Sequence, residues 1–142
     1  TALTETLTFE LDKAQYTVYP PERTSYPNNE DNEYSLIVGV THGENRFLFA
    51  GDALTERLGE FTALGEGTYD FLKVSNHGDY FEGVEAFFRA VSPKYAAITC
   101  SDKNPADART VSALEAVGAQ VFLTRDGSVK VTSDGRTISV LQ

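Results

Sequence analysis

Phe47-Leu48-Phe49-Ala50-Gly51-Asp52 and Phe71-Leu72-Lys73-Val74-Ser75-Asn76-His77-Gly78 share one pattern: a short apolar run, then small or polar residues that include a side chain able to bind a metal ion. Each run has strand length and is followed by apolar residues at helical spacing, so each reads as a buried strand opening onto a helix. Asp52 and His77 therefore stand at the carboxyl ends of two strands. In open α/β sheets ligands bind at that edge, because the loops leaving neighbouring strands converge there.

Working outward, Leu54, Leu58, Phe61 and Leu64 predict one helical face, and Phe81, Val84, Phe88 and Val91 a second, after a strand over 69–74. Residues 94–99 read as the next strand, and Val111, Leu114 and Val117 as one face of a third helix. This βαβαβ order implies largely parallel pairing with right-handed crossovers. Upstream, Leu7, Phe9 and Leu11 alternate with polar residues, and the pattern resumes at Tyr16 and Val18 after Asp12-Lys13-Ala14, which predicts a hairpin. A second hairpin is expected from strands over 34–40 and 46–50 around His42-Gly43-Glu44-Asn45. Residues 20–33 form a polar, acidic loop with Pro20, Pro21, Pro27 and the run Asn28-Asn29-Glu30-Asp31-Asn32; a loop of that length is functional or mobile. The chain ends in a predicted β-meander over 120–124, 128–133 and 136–141, with turns at Asp126-Gly127 and Asp134-Gly135.

A chain of 142 residues with 41% hydrophobic composition is one domain by size, 1–142, able to bury roughly 68–70% of its unfolded surface. Its 12 basic and 21 acidic residues give a net charge of -9, which repels phosphate backbones and leaves no footprint for non-specific duplex binding unless cations assist. Cys100 is alone, so no intrachain disulfide forms. No apolar run approaches the roughly 20 residues of a membrane span. The start at Thr1, in a chain without Met, leads us to expect a natural N-terminus further upstream and leaves the localisation open.

Each residue at the predicted edge also has a structural explanation. Asp52 precedes a helical pattern, where an Asp caps free amides. Asp79, three residues before Glu82, resembles a capping box. Asn104-Pro105 resembles an N-cap followed by Pro at the first helical position. Cys100 at a strand end is expected to pack, Asp102 ranks below Asp52 and His77 as a site residue, and His42 belongs to a solvated turn. His77 resists such an explanation: it follows an apolar strand and precedes Gly78, which permits close approach of backbone and ligand, and a neutral imidazole is the commonest transition-metal ligand.

The segments Tyr34-Ser35-Leu36-Ile37-Val38, residues 47–53, residues 70–78, residues 91–99 and residues 122–135 occur in one order. Together they resemble the C-terminal half of a metallo-β-lactamase-fold domain, most like the ComEC-like competence group. The resemblance covers residues 34 to 135. It implies an α/β fold forming half of a four-layered αββα sandwich, a mixed sheet with a βαβαβ core and a terminal meander. It also implies that Asp52 is a metal-bridging aspartate and His77 the second His of a His-His-Gly motif, the first being Asn76 here. Family members use zinc or manganese to activate water and polarise a phosphoryl or carbonyl oxygen. The implied substrates are nucleic acid or other phosphodiesters.

The chain departs from that pattern in two further places. No His-x-His-x-Asp-His run occurs before Tyr34, and Lys103-Asn104-Pro105 stands where a Gly-His-Pro element is expected. Two ligands fall short of the three of a catalytic zinc site, so no residue is assigned a catalytic role and the isolated chain is expected to be inactive, with no tightly bound metal. Leu36, Val38, Leu48, Ala50, Leu72 and Val74 are expected to exceed the cover of three helices on one side, so an N-terminal half or a second copy is expected to complete the packing. Three readings follow: the C-terminal portion of a metal-dependent hydrolase; a degenerate binding or regulatory domain, as a homodimer; and a metal-free structural module of a larger assembly. In the third, Asp52→Ala costs on the order of 1 kcal/mol as a lost cap and changes nothing else.

Overall fold

The computed structural model describes residues 3–27 and 30–142, so Asn28 and Asn29 of the acidic run and the chain start at Thr1 lie outside the described residues. Strands β1 (Leu7–Leu11) and β2 (Ala14–Tyr19) pair antiparallel across Asp12-Lys13. Both turn residues take positive φ, 48° and 70°, as a turn matched to strand twist requires. β3 (Ile37–His42) and β4 (Asn45–Phe49) form the second hairpin. The chain then alternates through α1 (Thr55–Ala63), β5 (Phe71–Lys73), α2 (Val84–Val91), β6 (Tyr95–Ile98), α3 (Ala108–Ala116) and β7 (Gln120–Leu123). The seven strands lie in sequence order in one mixed sheet, with β4 to β7 parallel. This is an α/β fold.

Consecutive parallel strands joined by crossovers of one hand place their helices on the same side of the sheet. Ile37, Leu48, Ala50, Leu72, Val74, Ala96 and Ile98 form that side and pack with Leu58, Phe61, Val84, Phe87, Phe88 and Leu114 into the core. Of the six residues expected to exceed the cover of the helices, Leu48, Ala50, Leu72 and Val74 are covered by them, whereas Val38 lies on the opposite side of the sheet. Leu36, at 46% exposed, is not covered.

The opposite side carries Leu7, Phe9, Leu11, Tyr16, Val18, Val38, Val40, Phe47, Phe49, Phe71, Ala97 and Phe122, by the alternation of side chains along paired strands. The predicted meander is not formed as one sheet. β7 joins the large sheet, and β8 (Lys130–Ser133) and β9 (Ile138–Leu141) make a separate two-stranded sheet. Its turn binds the β3–β4 hairpin through Glu44 N to Gly135 O at 2.7 Å, and Gln142 at its end donates to Leu123 O at 2.6 Å. His42 Nδ1 lies 3.0 Å from Ser133 Oγ, so His42 is a half-buried anchor for this hairpin and not a solvated turn residue. On this side Phe71, Ala97 and Phe122 are buried, whereas Leu7, Phe9, Leu11 and Phe49 remain 40–58% exposed.

The acidic loop is pinned to α1 by buried charge. Glu33, at 5% exposed, accepts the amides of Glu56 at 3.0 Å and Arg57 at 2.8 Å. These belong to the first turn of α1, whose N-cap residue Leu54 offers no side-chain bond. The cap predicted at Asp52 is thus supplied by a carboxylate from the loop. Arg57, at 1% exposed, fills its guanidinium with Ser35 O, Tyr19 O and Glu60. Tyr26 donates to both oxygens of Glu60 at 2.9 Å, and burial together with that carboxylate pushes its phenol up to about 12.

Candidate functional site at the strand ends

The loops that follow β4 and β5 and carry Asp52 and His77 meet. Asn76 N donates to Gly51 O at 3.2 Å, tying the turn after β5 to the turn after β4. Asp52 N donates to Ser35 Oγ at 3.3 Å, and Asn32 Nδ2 to Asn76 Oδ1 at 3.4 Å, so the acidic loop borders the same edge.

The backbone at His77 is strained. Asn76, His77 and Gly78 take φ of 41°, 53° and 82° in succession, and side chains at two of these positions occupy a region that L residues seldom adopt. Gly78 is required there for a second reason: a Cβ would stand 2.6 Å from Ile98 Cγ2 and 3.1 Å from Ala106 Cβ, both in or against the core. The turn is thereby held low on the sheet, and the imidazole is turned toward Asp52.

His77 Nδ1 lies 2.9 Å from Thr99 O and 3.0 Å from Thr99 Oγ1. A carbonyl only accepts, so Nδ1 carries the proton in that bond and, in the neutral ring, Nε2 presents its lone pair. Nε2 in turn is 3.5 Å from Asp52 Oδ1. Two lone pairs facing each other at that distance repel unless a proton or a metal cation lies between them. Two donors at about 2.1 Å from one ion and at the tetrahedral angle are ~3.4 Å apart, close to the separation found here. The imidazole held through its other nitrogen by a carbonyl is the usual outer-shell arrangement of a metal-binding histidine.

Type and spacing of these donors fit zinc or manganese; their number does not complete a site. No group of three or more His, Cys, Asp or Glu side chains able to hold a metal occurs among the described residues. Asp102 is exposed and Cys100 packs against the core, its amide and carbonyl bonded to the Thr124 hydroxyl. Asn104 closes a turn with Ser101 and caps no helix, because α3 begins at Ala108 with Asp107 as its cap. Asp79 likewise caps nothing: α2 starts after Gly83, and Asp79 accepts from Asn76 Nδ2 at 3.3 Å. Beside His77 these segments line an open cavity of about 460 Å³. A larger cleft between α2 and α3, about 600 Å³, is lined by Tyr80, whose hydroxyl is bonded to Glu85, and by the Arg109 guanidinium stacked 4.3 Å over the Tyr80 ring.

The residue pattern gave no sign of Lys73. It pairs in register with Phe49 on β4 and so stands on the side away from the helices, at the same strand-end edge as Asp52. It is half-buried; burial lowers its ammonium below the ordinary range, and the Asp52 charge opposes that effect. The Thr99 carbonyl that orients His77 was equally invisible, since any backbone can supply it. No family model matches the chain, and neither does any curated protein. Among the described residues no helix is long and apolar enough to cross a membrane.

Proposed function

We propose that this chain is the C-terminal portion of a metallo-β-lactamase-fold, metal-dependent hydrolase acting on phosphodiesters, with Asp52 and His77 as its later metal ligands. The observation that carries this reading is the 3.5 Å approach of His77 Nε2 to Asp52 Oδ1, with Nδ1 fixed on Thr99. A bound zinc or manganese ion would supply Lewis acidity and lower the pKa of water at the edge. The chain's own part is to hold the imidazole in the Nδ1–H tautomer, to aim Nε2 at the carboxylate, and to keep the turn rigid through Gly78 and the Asn76–Gly51 backbone bond. With two donors the chain alone binds metal weakly and cleaves no phosphodiester.

The two histidines make a direct test possible, because His42 lies in the β3–β4 hairpin, bonded to Ser133, and serves as an internal control. In imidazole NMR spectra, Mn²⁺ at millimolar concentration should broaden the His77 ring and spare His42, and Asp52→Asn should reduce the effect several-fold. Equal broadening of both rings would remove the metal reading. Stoichiometric, tightly held metal lost in His77→Ala would show instead that the chain carries a complete site.

A second reading, a non-catalytic binding or regulatory domain that dimerises, is favoured by the exposed apolar set Leu7, Phe9, Leu11 and Phe49. Sedimentation at micromolar concentration tests it. A strictly monomeric, well-folded chain removes the dimer.

A further inference from the structure

Lys73 is the one lysine of five that is not exposed; Lys13, Lys94, Lys103 and Lys130 all face solvent. Its Nζ donates to Val74 O at 2.9 Å, and it forms no ion pair among the described residues. An ammonium carries three donors, so up to two are left for other partners at a half-buried position. Withdrawing a cation from water without a paired anion is unfavourable, and an apolar side chain at a strand position beside Phe49 and Ala97 would pack there without that cost. The Val74 carbonyl belongs to a residue that is 0% exposed, so the Lys73 bond satisfies a buried acceptor and occupies one of the three donors. The Val74 bond needs a donor and not a full charge, and the nearby Asp52 carboxylate forms no ion pair with the ammonium, which keeps donors for an anion.

We propose that Lys73 is the anion-binding residue of this edge, its ammonium receiving an anionic phosphoryl oxygen of the molecule that reaches Asp52 and His77. The proposal rests on reading the Asp52–His77 edge as the site, and it assigns the substrate's charge to a residue which that reading does not require. In a chain of net charge -9, a cation held at this edge by the Val74 carbonyl gives a phosphate group a local partner that the protein's overall field does not. Lys73 itself supplies charge and orientation to the bound group, and no bond is made or broken at its nitrogen.

The test uses the full chain, labelled so that the Cε resonances of all five lysines are followed while inorganic phosphate is titrated at constant ionic strength. Lys73 should shift saturably, with a half-effect at a phosphate concentration at least fivefold below that of the four exposed lysines. Asp52→Asn, which removes the neighbouring negative charge, should lower that concentration further. Phosphate ³¹P line broadening should fall at least fivefold in Lys73→Met and persist in Lys73→Arg, with far-UV circular dichroism confirming that both variants are folded. If Lys73 moves only as the exposed lysines do, or if Lys73→Met leaves the ³¹P broadening unchanged, the assignment is wrong. Mn²⁺ broadening of the His77 ring is measured separately on the same variants. Its survival alongside a failed phosphate response rejects Lys73 alone, and its loss in the parent chain rejects the metal reading alone.

Discussion

The cap of α1 offers a sharp test, because two carboxylates compete for the role and the structure gives it to the one further away in sequence. Asp52 stands where a local cap is expected, yet Glu33 accepts the amides of Glu56 and Arg57 at 3.0 and 2.8 Å from a position only 5% exposed. Hydrogen bonds to a charged acceptor contribute about 1.5–3 kcal/mol each, and loss of a cap costs about 0.5–2 kcal/mol. Glu33→Ala removes both bonds, while Arg57 keeps Glu60, Ser35 and Tyr19. The expected cost is about 2–3 kcal/mol, which for a chain of this size lowers the unfolding temperature by roughly 5–10 °C. Asp52→Ala removes an exposed carboxylate whose contact with His77 joins side chains 46% and 59% exposed, and such surface contacts are worth less than about 0.5 kcal/mol. Urea unfolding followed by far-UV circular dichroism measures both, with an unchanged slope confirming that the same transition is compared. A cost of about 1 kcal/mol or more for Asp52→Ala, with Glu33→Ala near neutral, would refute the assignment and restore the local cap.

Two further outcomes are expected. Burial opposes ionisation of Asp70, but the Lys94 ammonium at 2.7 Å and the Arg46 amide at 2.8 Å outweigh it and hold the carboxyl below its ordinary range. A depressed folded value means that this stabilisation is complete above the unfolded pKa of about 3.9 and is lost as pH falls through the folded one. Asp70→Asn should therefore lower the unfolding temperature at neutral pH and flatten its decline below about pH 4; an unchanged acid limb would contradict the pairing. Gly78→Ala should cost about 1–3 kcal/mol, since the new Cβ meets Ile98 at a positive φ of 82°. The same variant should weaken Mn²⁺ broadening at His77, and a thermally silent variant with an unaltered His77 response would show that the turn is not held as described.

Most of the strands and helices were legible because each buries one face, and burial writes a period of two or of 3.6 into neighbouring residues. Leu72 and Val74, or Val84, Phe88 and Val91, announce their elements without reference to the rest of the chain. Helix starts were not legible in that way. Asp52, Asp79 and Asn104 all stand a few residues ahead of a helix, but the first turns begin at Thr55, Val84 and Ala108, too far on for those side chains to cap. Pairing of the terminal strands was hidden for a similar reason. The Thr124 hydroxyl bonds both the amide and the carbonyl of Cys100, which ties the end of β7 to the end of β6, and a 3-10 turn over Thr124–Asp126 then carries the chain away from the large sheet. Nothing in the spacing of residues 120–133 encodes that bond. At the site, strand-end placement was enough to pair Asp52 with His77, whereas nothing in the run that contains Lys73 singled it out.

The uncovered apolar surface and the Asp52–His77 edge border each other. Phe49 pairs with Lys73 across β4 and β5 and precedes Asp52 by three residues, so it belongs both to the exposed apolar set and to the rim of the site. Whatever covers Phe49 must approach Lys73 and Asp52. That geometry ties the two readings of function to one surface: a polypeptide laid over β1 to β4 would remove Phe9, Leu11 and Phe49 from water and bring its own side chains to the edge where, among the described residues, Asp52 and His77 have no third metal-capable neighbour. If that cover supplies metal ligands, metal affinity at His77 should rise with its binding. If it supplies only apolar contact, burial of Phe49 should leave the Mn²⁺ response of His77 where it is in the free chain. The two cases separate a split catalytic centre from a docking domain, using the same histidine resonance.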